Sequence, residues 1–280
     1  MPFYLGRLGA LRKLRDPMKG LDATNERIGA THRSLNGTTS LDVLGHKRTY
    51  KIQWDYLTHD DLSYLEALHL GLIDGPLRLV DPQRRNRLRA QVSSGGSRSR
   101  TTAGFTATQG TLAFTSGATP PDVFAAGAIT WTLPAAAGGR LTANDTLTDR
   151  TPLIPGEPVT LSLYAAGDPV TVQVVITPVD PSGQPGSPVF GPQVTLTGSY
   201  QRLPLTFIPG PSHAGCAVGV DVPIGGPTGT ITTTGWQLEA APTASPWVPG
   251  TGCPVVVIDS LTDVYPEYGY HAPTLTLLET

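Results

Sequence analysis

Any chemistry done by this 280-residue chain would come from a small set of side chains. Asp60 and Asp61 are a carboxylate pair of the kind that works on glycosidic bonds. They stand where a helix should begin, and there they complement the positive end of its dipole. Six histidines are scattered as His32, His46, His59, His69, His213 and His271. Only His59 and His69 share an element, at a spacing that does not place two imidazoles on one helix face for a metal. The histidines therefore read as solvated or hydrogen-bonded. Asn144, Asp145 and Asp149 offer oxygens to a structural calcium, or they line a solvated loop. The sequence has no glycine loop ending in Lys-Ser/Thr, no G-x-S-x-G and no H-E-x-x-H. The expectation is a protein that is not an enzyme and needs no cofactor.

Two further groups of side chains stay ambiguous. RRNRLRAQVSSGGSRSR carries Arg84, Arg85, Arg87, Arg89, Arg98 and Arg100. Such a cluster could meet DNA phosphates, but no aromatic is interleaved to stack on bases, so sequence-specific nucleic-acid binding is not expected. The other reading is a solvated turn and linker, or ion-pair partners at a subunit interface. Cys216 and Cys253 are too few for a disulfide framework. In CAVGVDV, Cys216 shares the parity of Val218, Val220 and Val222 and so reads as a core residue. A Cys216–Cys253 bridge is the alternative.

The elements that must hold these groups follow from composition and periodicity. Gly (32) and Pro (27) exceed a fifth of the chain, charged residues are only 15%, and apolar alternation persists throughout, the mix of many short strands and turns. Residues 1–100 hold 17 Lys and Arg against 10 Asp and Glu, whereas residues 101–280 hold 3 against 12, which marks a composition boundary. In LDVLGHKRTYKIQWDY a turn at Gly45-His46 is expected. The run after it puts Tyr50, Ile52 and Trp54 on one face. THDDLSYLEALHLG reads as a helix, capped by Thr58, with a Leu62, Leu65, Leu68 stripe and a stop at Gly71. SSGGSRSRTTAG, residues 93–104, has the composition of a flexible linker. From residue 105, short alternating strands such as PVTLSLYAAG, PVTVQVVITP, QRLPLTFIP, CAVGVDVP and GTITTTGWQLEA argue for an antiparallel sandwich or jelly roll. PVVVID and PTLTLLE then form a strand pair too small to bury a core alone. No apolar run approaches ~20 residues, and the N-terminus has no signal-peptide core. A soluble protein without a membrane partner, made in a reducing compartment, is expected.

Two resemblances organise these pieces. PGEPVTLSLYAAG, VDPSGQPG, LTGSYQRLPLTFIPGP and GWQLEAAPTASPWVPG, in that order, resemble the carbohydrate-binding jelly-roll modules of glycoside hydrolases and phage tail proteins. The flanks, GATHRSLNGTTSLDVLGHKRTYKIQWDYLTHDDLSYLEAL with GPLRLVDPQRRNRL, are similar to the N-terminal region of distal or minor tail proteins of long-tailed phages. The resemblance implies a mainly β chain with a discontinuous ring-forming domain, residues 1–92 and 254–280, containing one helix. A linker at 93–104 and an inserted carbohydrate-binding-like jelly roll at 105–250 complete it. It further implies a homo-oligomeric, six-membered ring at the virion tail tip, assembled in the host bacterial cytoplasm, with the tail tube protein and hub proteins as neighbours. A glycan-binding module of a secreted carbohydrate-active protein is the competing implication.

A host cell-wall glycan would need aromatic faces open to solvent beside hydrogen-bonding groups. Trp131 shares a face with Ile129 and Leu133, and Trp236 shares one with Leu238, so both read as core. Tyr164 points away from the Val159, Leu161, Leu163 face, Tyr200 sits at a strand entrance and Trp247 lies on a loop. These three are the candidate carbohydrate-binding residues.

Overall fold

The computed structural model describes residues 3–17, 20–117, 119–134, 138–146 and 148–280. The chain divides into two compact units, Met1–Arg7, Leu11–Leu79 and Pro254–Thr280 in one, Leu8–Ala10 and Val80–Cys253 in the other. It begins with β1 (Phe3–Arg7), β2 (Ala10–Leu14), β3 (Leu21–Arg33), β4 (Thr39–Gln53), β5 (Leu57–Thr58), helix α1 (His59–His69) and β6 (Leu77–Val80). Period-two alternation buries Tyr50, Ile52 and Trp54 as expected, and the Trp54 indole N–H donates to the Arg15 carbonyl at 2.7 Å. The turn expected at Gly45-His46 is not there. β4 runs through these residues, with only a register shift opposite Ile28 and Gly29. The chain reverses at residues 34–38, where Gly37 has φ +83° and its N–H donates to the Ser34 carbonyl. Gly37 supplies the left-handed backbone this turn needs, whereas a lone glycine inside a strand is absorbed as a bulge.

Helix α1 starts and stops where its residues dictate. The Thr58 hydroxyl accepts from the Asp61 N–H at 3.3 Å, and Leu62, Leu65 and Leu68 are buried. Gly71, at φ +69°, follows the C-cap Leu70, and the Leu72 N–H returns to the Ala67 carbonyl. Asp61 also pairs with Arg12 at 2.7 Å, so one carboxylate of the suspected catalytic pair is a helix-start ion-pair partner.

The second unit contains helix α2 (Ala90–Ser93), β7 (Phe105–Ala107), β8 (Thr111–Ser116), β9 (Gly127–Leu133), β10 (Gly139–Ala143), β11 (Thr151–Pro152) and β12 (Val159–Gly167). It continues with β13 (Thr171–Val179), β14 (Val189–Phe190), β15 (Val194–Thr195), β16 (Gln201–Phe207), β17 (Gly215–Val222) and β18 (Gly229–Glu239). One sheet has the order β14-β13-β17-β10-β7, with β11 beside β17 and β15 beside β13; the other has the order β16-β12-β18-β9-β8. Their inner faces merge in one core. Val172, Val174, Val218, Val220 and Leu141 come from the first sheet, and Leu161, Leu163, Ile129, Trp131, Trp236 and Leu238 from the second. This is an antiparallel jelly-roll sandwich.

Residues 80–104 depart from the sequence expectation. Residues 80–92 belong to the sandwich unit rather than to the first, because Asn86, Arg87, Leu88 and Val92 are buried in it. Of the stretch read as a flexible linker, residues 93–97 are buried or half-buried, while 98–101, 103 and 104 stay exposed. A Cβ on Gly95, at φ +56°, would lie 2.8 Å from Thr234 Oγ1, so this glycine serves close approach to β18 rather than freedom of motion.

The chain ends with β19 (Val255–Thr262), β20 (Tyr270–His271) and β21 (Thr274–Glu279). These pair with elements from the other end of the sequence. β19 lies beside β6 and β21 beside β4, in a sheet of order β2-β1-β6-β19-β21-β4-β3, while β20 pairs with β5. Phe3, Leu5, Tyr50, Ile52 and Trp54 share a core with Val256, Leu275 and Leu277. The short C-terminal strands thus complete a core that neither end could close alone.

Candidate functional site

Strand register alone assembles a polar and aromatic face on the outside of the β14-β13-β17-β10-β7 sheet. Asp221 of β17 lies between Gln173 of β13 and Arg140 of β10. The next row is Phe190, Val175, Gly219 and Thr142. Arg140 Nε donates to one Asp221 oxygen at 3.0 Å, and Gln173 Nε2 donates to the other at 3.0 Å. The Arg140 guanidinium lies over the Phe190 ring, 5.4 Å from its centroid. Arg140 and Phe190 stand on strands separated by β13 and β17, so their side chains must reach across Val175 and Gly219 to meet. A Cβ at Gly219 would come within 2.5 Å of the Leu141 carbonyl, and no side chain fits there.

Phe190 keeps 41% of its surface exposed, and the Arg140 and Asp221 side chains keep 27% and 17%. The site therefore offers a ring and a planar cation to stack on, a carboxylate and an amide to hydrogen-bond with, and a local charge that cancels. That combination suits a neutral ligand with an apolar face and hydroxyls around it.

Over β18, the outside of the other sheet is covered by its own chain. Gln237 and Glu239 of β18 point outward and hold residues 245–248 down. Ser245 N–H and Oγ donate to the two Glu239 oxygens at 2.8 and 2.6 Å, and the Val248 N–H donates to Gln237 Oε1 at 2.8 Å. Asn86 locks the same loop from beneath. Its Nδ2 donates to Ser93 Oγ, the Trp236 carbonyl and the Val248 carbonyl, and its Oδ1 accepts from the Leu88 and Leu238 N–H groups. Gln237 and Glu239 thus act as a loop clamp.

The three sequence candidates all map outside the Phe190 face. Trp247 is 4% exposed beneath the clamped loop, with the exposed Phe124 ring tilted against it at 6.3 Å, so its face is not open to a sugar. A loop tryptophan is a packing residue here because Gln237 and Glu239 draw its loop onto the sheet. Tyr164 is half-buried. Its hydroxyl donates to Asp122, and the Arg202 guanidinium lies 5.5 Å from its ring centroid. Burial first, and then the Asp122 hydrogen bond, raise the Tyr164 pKa above the ordinary phenol value. Tyr200 is half-buried one residue before β16, with its pKa raised by burial. Arg202 itself donates to Ser162 Oγ and to the Ser245 carbonyl.

Other suspected sites resolve into structural roles. Asp149 pairs with Arg89, Asp145 lies 3.9 Å from Arg150, and Asn144 Nδ2 donates to Thr151 Oγ1, so arginines occupy the carboxylates suggested for calcium. Within the arginine cluster, Arg87 is buried against Glu157 at 2.7 Å and Arg84 approaches Asp81 at 3.9 Å. Cys216 and Cys253 are buried thiols that form no disulfide with each other. Burial pushes the Cys216 thiol up to about 12. In the first unit the structure unites His59, His271 and Asp263, which sequence spacing could not foresee.

Phe190, Arg140, Asp221 and Gln173 were missed in the sequence, although two signals pointed to them. Asp221 is the charged position of an otherwise apolar strand, and Gln173 stands among Val172, Val174 and Val175. Arg140 is one of only three cations after residue 101, with Arg150 and Arg202.

No family model and no curated protein matches the sequence. Among solved structures, the chain is similar to the enzymatically active domain of Bacteriophage CBA120 tailspike protein 4, at 14% identity and a TM-score of 0.44 over 56% of this chain and 21% of that one. It spans about a fifth of that tailspike chain. It is also similar to the CBM22-1 xylan-binding domain from Paenibacillus barcinonensis Xyn10C, at 14% identity and TM-score 0.39, covering 51% of this chain and 90% of the other. A third similarity is to TmCBM61 in complex with beta-1,4-galactotriose, at 13% identity and TM-score 0.40, covering 56% and 100%.

Proposed function

We propose that the chain is a non-enzymatic structural protein of a phage tail tip that displays a glycan-binding jelly roll. The observation that carries the binding half is the Phe190, Arg140, Asp221 and Gln173 face, where a half-exposed ring and a stacked guanidinium adjoin a charge-compensated carboxylate and an amide. Saccharides present C–H faces to such rings and hydroxyls to such polar groups. Because Arg140 and Asp221 neutralise each other and residues 101–280 are net acidic, the ligand is a neutral sugar of the host cell wall rather than an anionic polymer. The scaffold half rests on the flanking segments resembling distal and minor tail proteins. Several copies on a ring would add avidity to weak single sites.

Isothermal titration of the full chain with neutral host-wall polysaccharide tests the binding. Heat that is lost in Phe190→Ala supports it, and no heat with any sugar ends it. Negative-stain imaging tests the scaffold: rings with peripheral lobes support a tail role, whereas isolated monomers that still bind sugar leave a free-standing glycan-binding protein.

A further inference from the structure

His59 and His271 lie 212 residues apart in sequence, yet His59 Nδ1 and His271 Nε2 stand 3.4 Å from one another. His59 opens helix α1 and is exposed; His271 sits on β20, paired with β5, and is 2% exposed. The other nitrogen of His271, Nδ1, is 2.7 Å from Asp263 Oδ2. With Asp263 accepting from Nδ1–H, a neutral His271 presents its Nε2 lone pair to His59.

The geometry points to a two-histidine site for a divalent cation of the zinc, nickel or copper class, and we propose it as such. At 3.4 Å the pair is a long hydrogen bond, beyond the ~2.9–3.0 Å at which N–H···O bonds centre. Two nitrogens each ~2.0–2.1 Å from one tetrahedral zinc are separated by about 3.3–3.4 Å, which is the spacing of this pair. A carboxylate holding the remote nitrogen of a histidine is the outer-shell arrangement that orients metal-ligating imidazoles and makes them more basic. Among the described residues no third His, Cys, Asp or Glu converges with them. Water or a group from outside this chain completes the coordination, and the affinity is moderate. The ion would clip the start of α1 to the strand before β21, joining segments from the two ends of the first unit.

The test uses the full chain, stripped with chelator and titrated with zinc chloride alone, followed by calorimetry and by thermal unfolding. One zinc per chain and a midpoint that rises with zinc are expected. Asp263→Asn weakens binding by about tenfold or more. His271→Ala removes a buried side chain and could disturb folding, so His59→Ala, at an exposed position, is the deciding variant. It abolishes the site while the zinc-free melting point stays put, and His69→Ala leaves binding intact. No heat at millimolar zinc, or a site that survives His59→Ala, overturns the proposal and leaves only a hydrogen-bonded histidine pair.

Discussion

The two outer faces of the sandwich are built from similar residues and end in opposite states. On the β16-β12-β18-β9-β8 sheet, outward polar side chains spend their hydrogen bonds on the chain itself: Gln237, Glu239 and Asn86 hold residues 245–248 in place and bury Trp247. On the β14-β13-β17-β10-β7 sheet, Asp221 joins its neighbours Arg140 and Gln173, and Phe190 remains half-exposed. The difference teaches that an aromatic on a loop is no better a binding candidate than one on an edge strand. What decides is whether nearby polar groups are committed to covering it.

Breaking the sealed face should have the largest effect. Trp247→Ala empties a buried indole site and is expected to lower stability by about 3–5 kcal/mol, read by urea unfolding. Asn86→Ala strips five hydrogen-bond partners from buried groups at once and should cost about 2–3 kcal/mol. Sugar affinity measured on the folded fraction of either variant should stay unchanged, and a loss there would move the binding site to the sealed side.

The open face should show the reverse pattern. Phe190→Ala is expected to weaken saccharide binding about fivefold to tenfold, the worth of one stacked ring, while stability shifts by under about 1 kcal/mol. The smallest effect is alkaline. Burial raises the Tyr164 pKa, so the stabilisation it provides is complete below the ordinary phenol value of about 10 and is lost as pH rises through the higher folded value. Ultraviolet titration of the folded protein should lose one late-ionising phenol in Tyr164→Phe.

Much of the architecture was legible in the residues. The Tyr50, Ile52, Trp54 face, the Thr58-capped helix and the inward Trp131 and Trp236 follow from periodicity and capping, which act over a few residues. The Gly45-His46 turn and the 93–104 linker misled because glycine composition reports backbone freedom, and this fold uses Gly45 within a strand and Gly95 for close packing. Of the three aromatic candidates, Tyr164 on β12 and Tyr200 just before β16 remain half-exposed, yet on or next to the opposite sheet from the Phe190 face.

By itself, the sequence determined which residues face inward along each strand, where helix α1 begins and ends, and that the chain is a mainly β protein, because alternation and capping are local. Only the tertiary structure decided that Gln173, Asp221, Arg140 and Phe190 share one face, that Trp247 is covered, and that His59 meets His271. Those juxtapositions depend on strand order and register between distant segments, and the period-two alternation of a single strand says which side a residue takes but not which strand lies beside it.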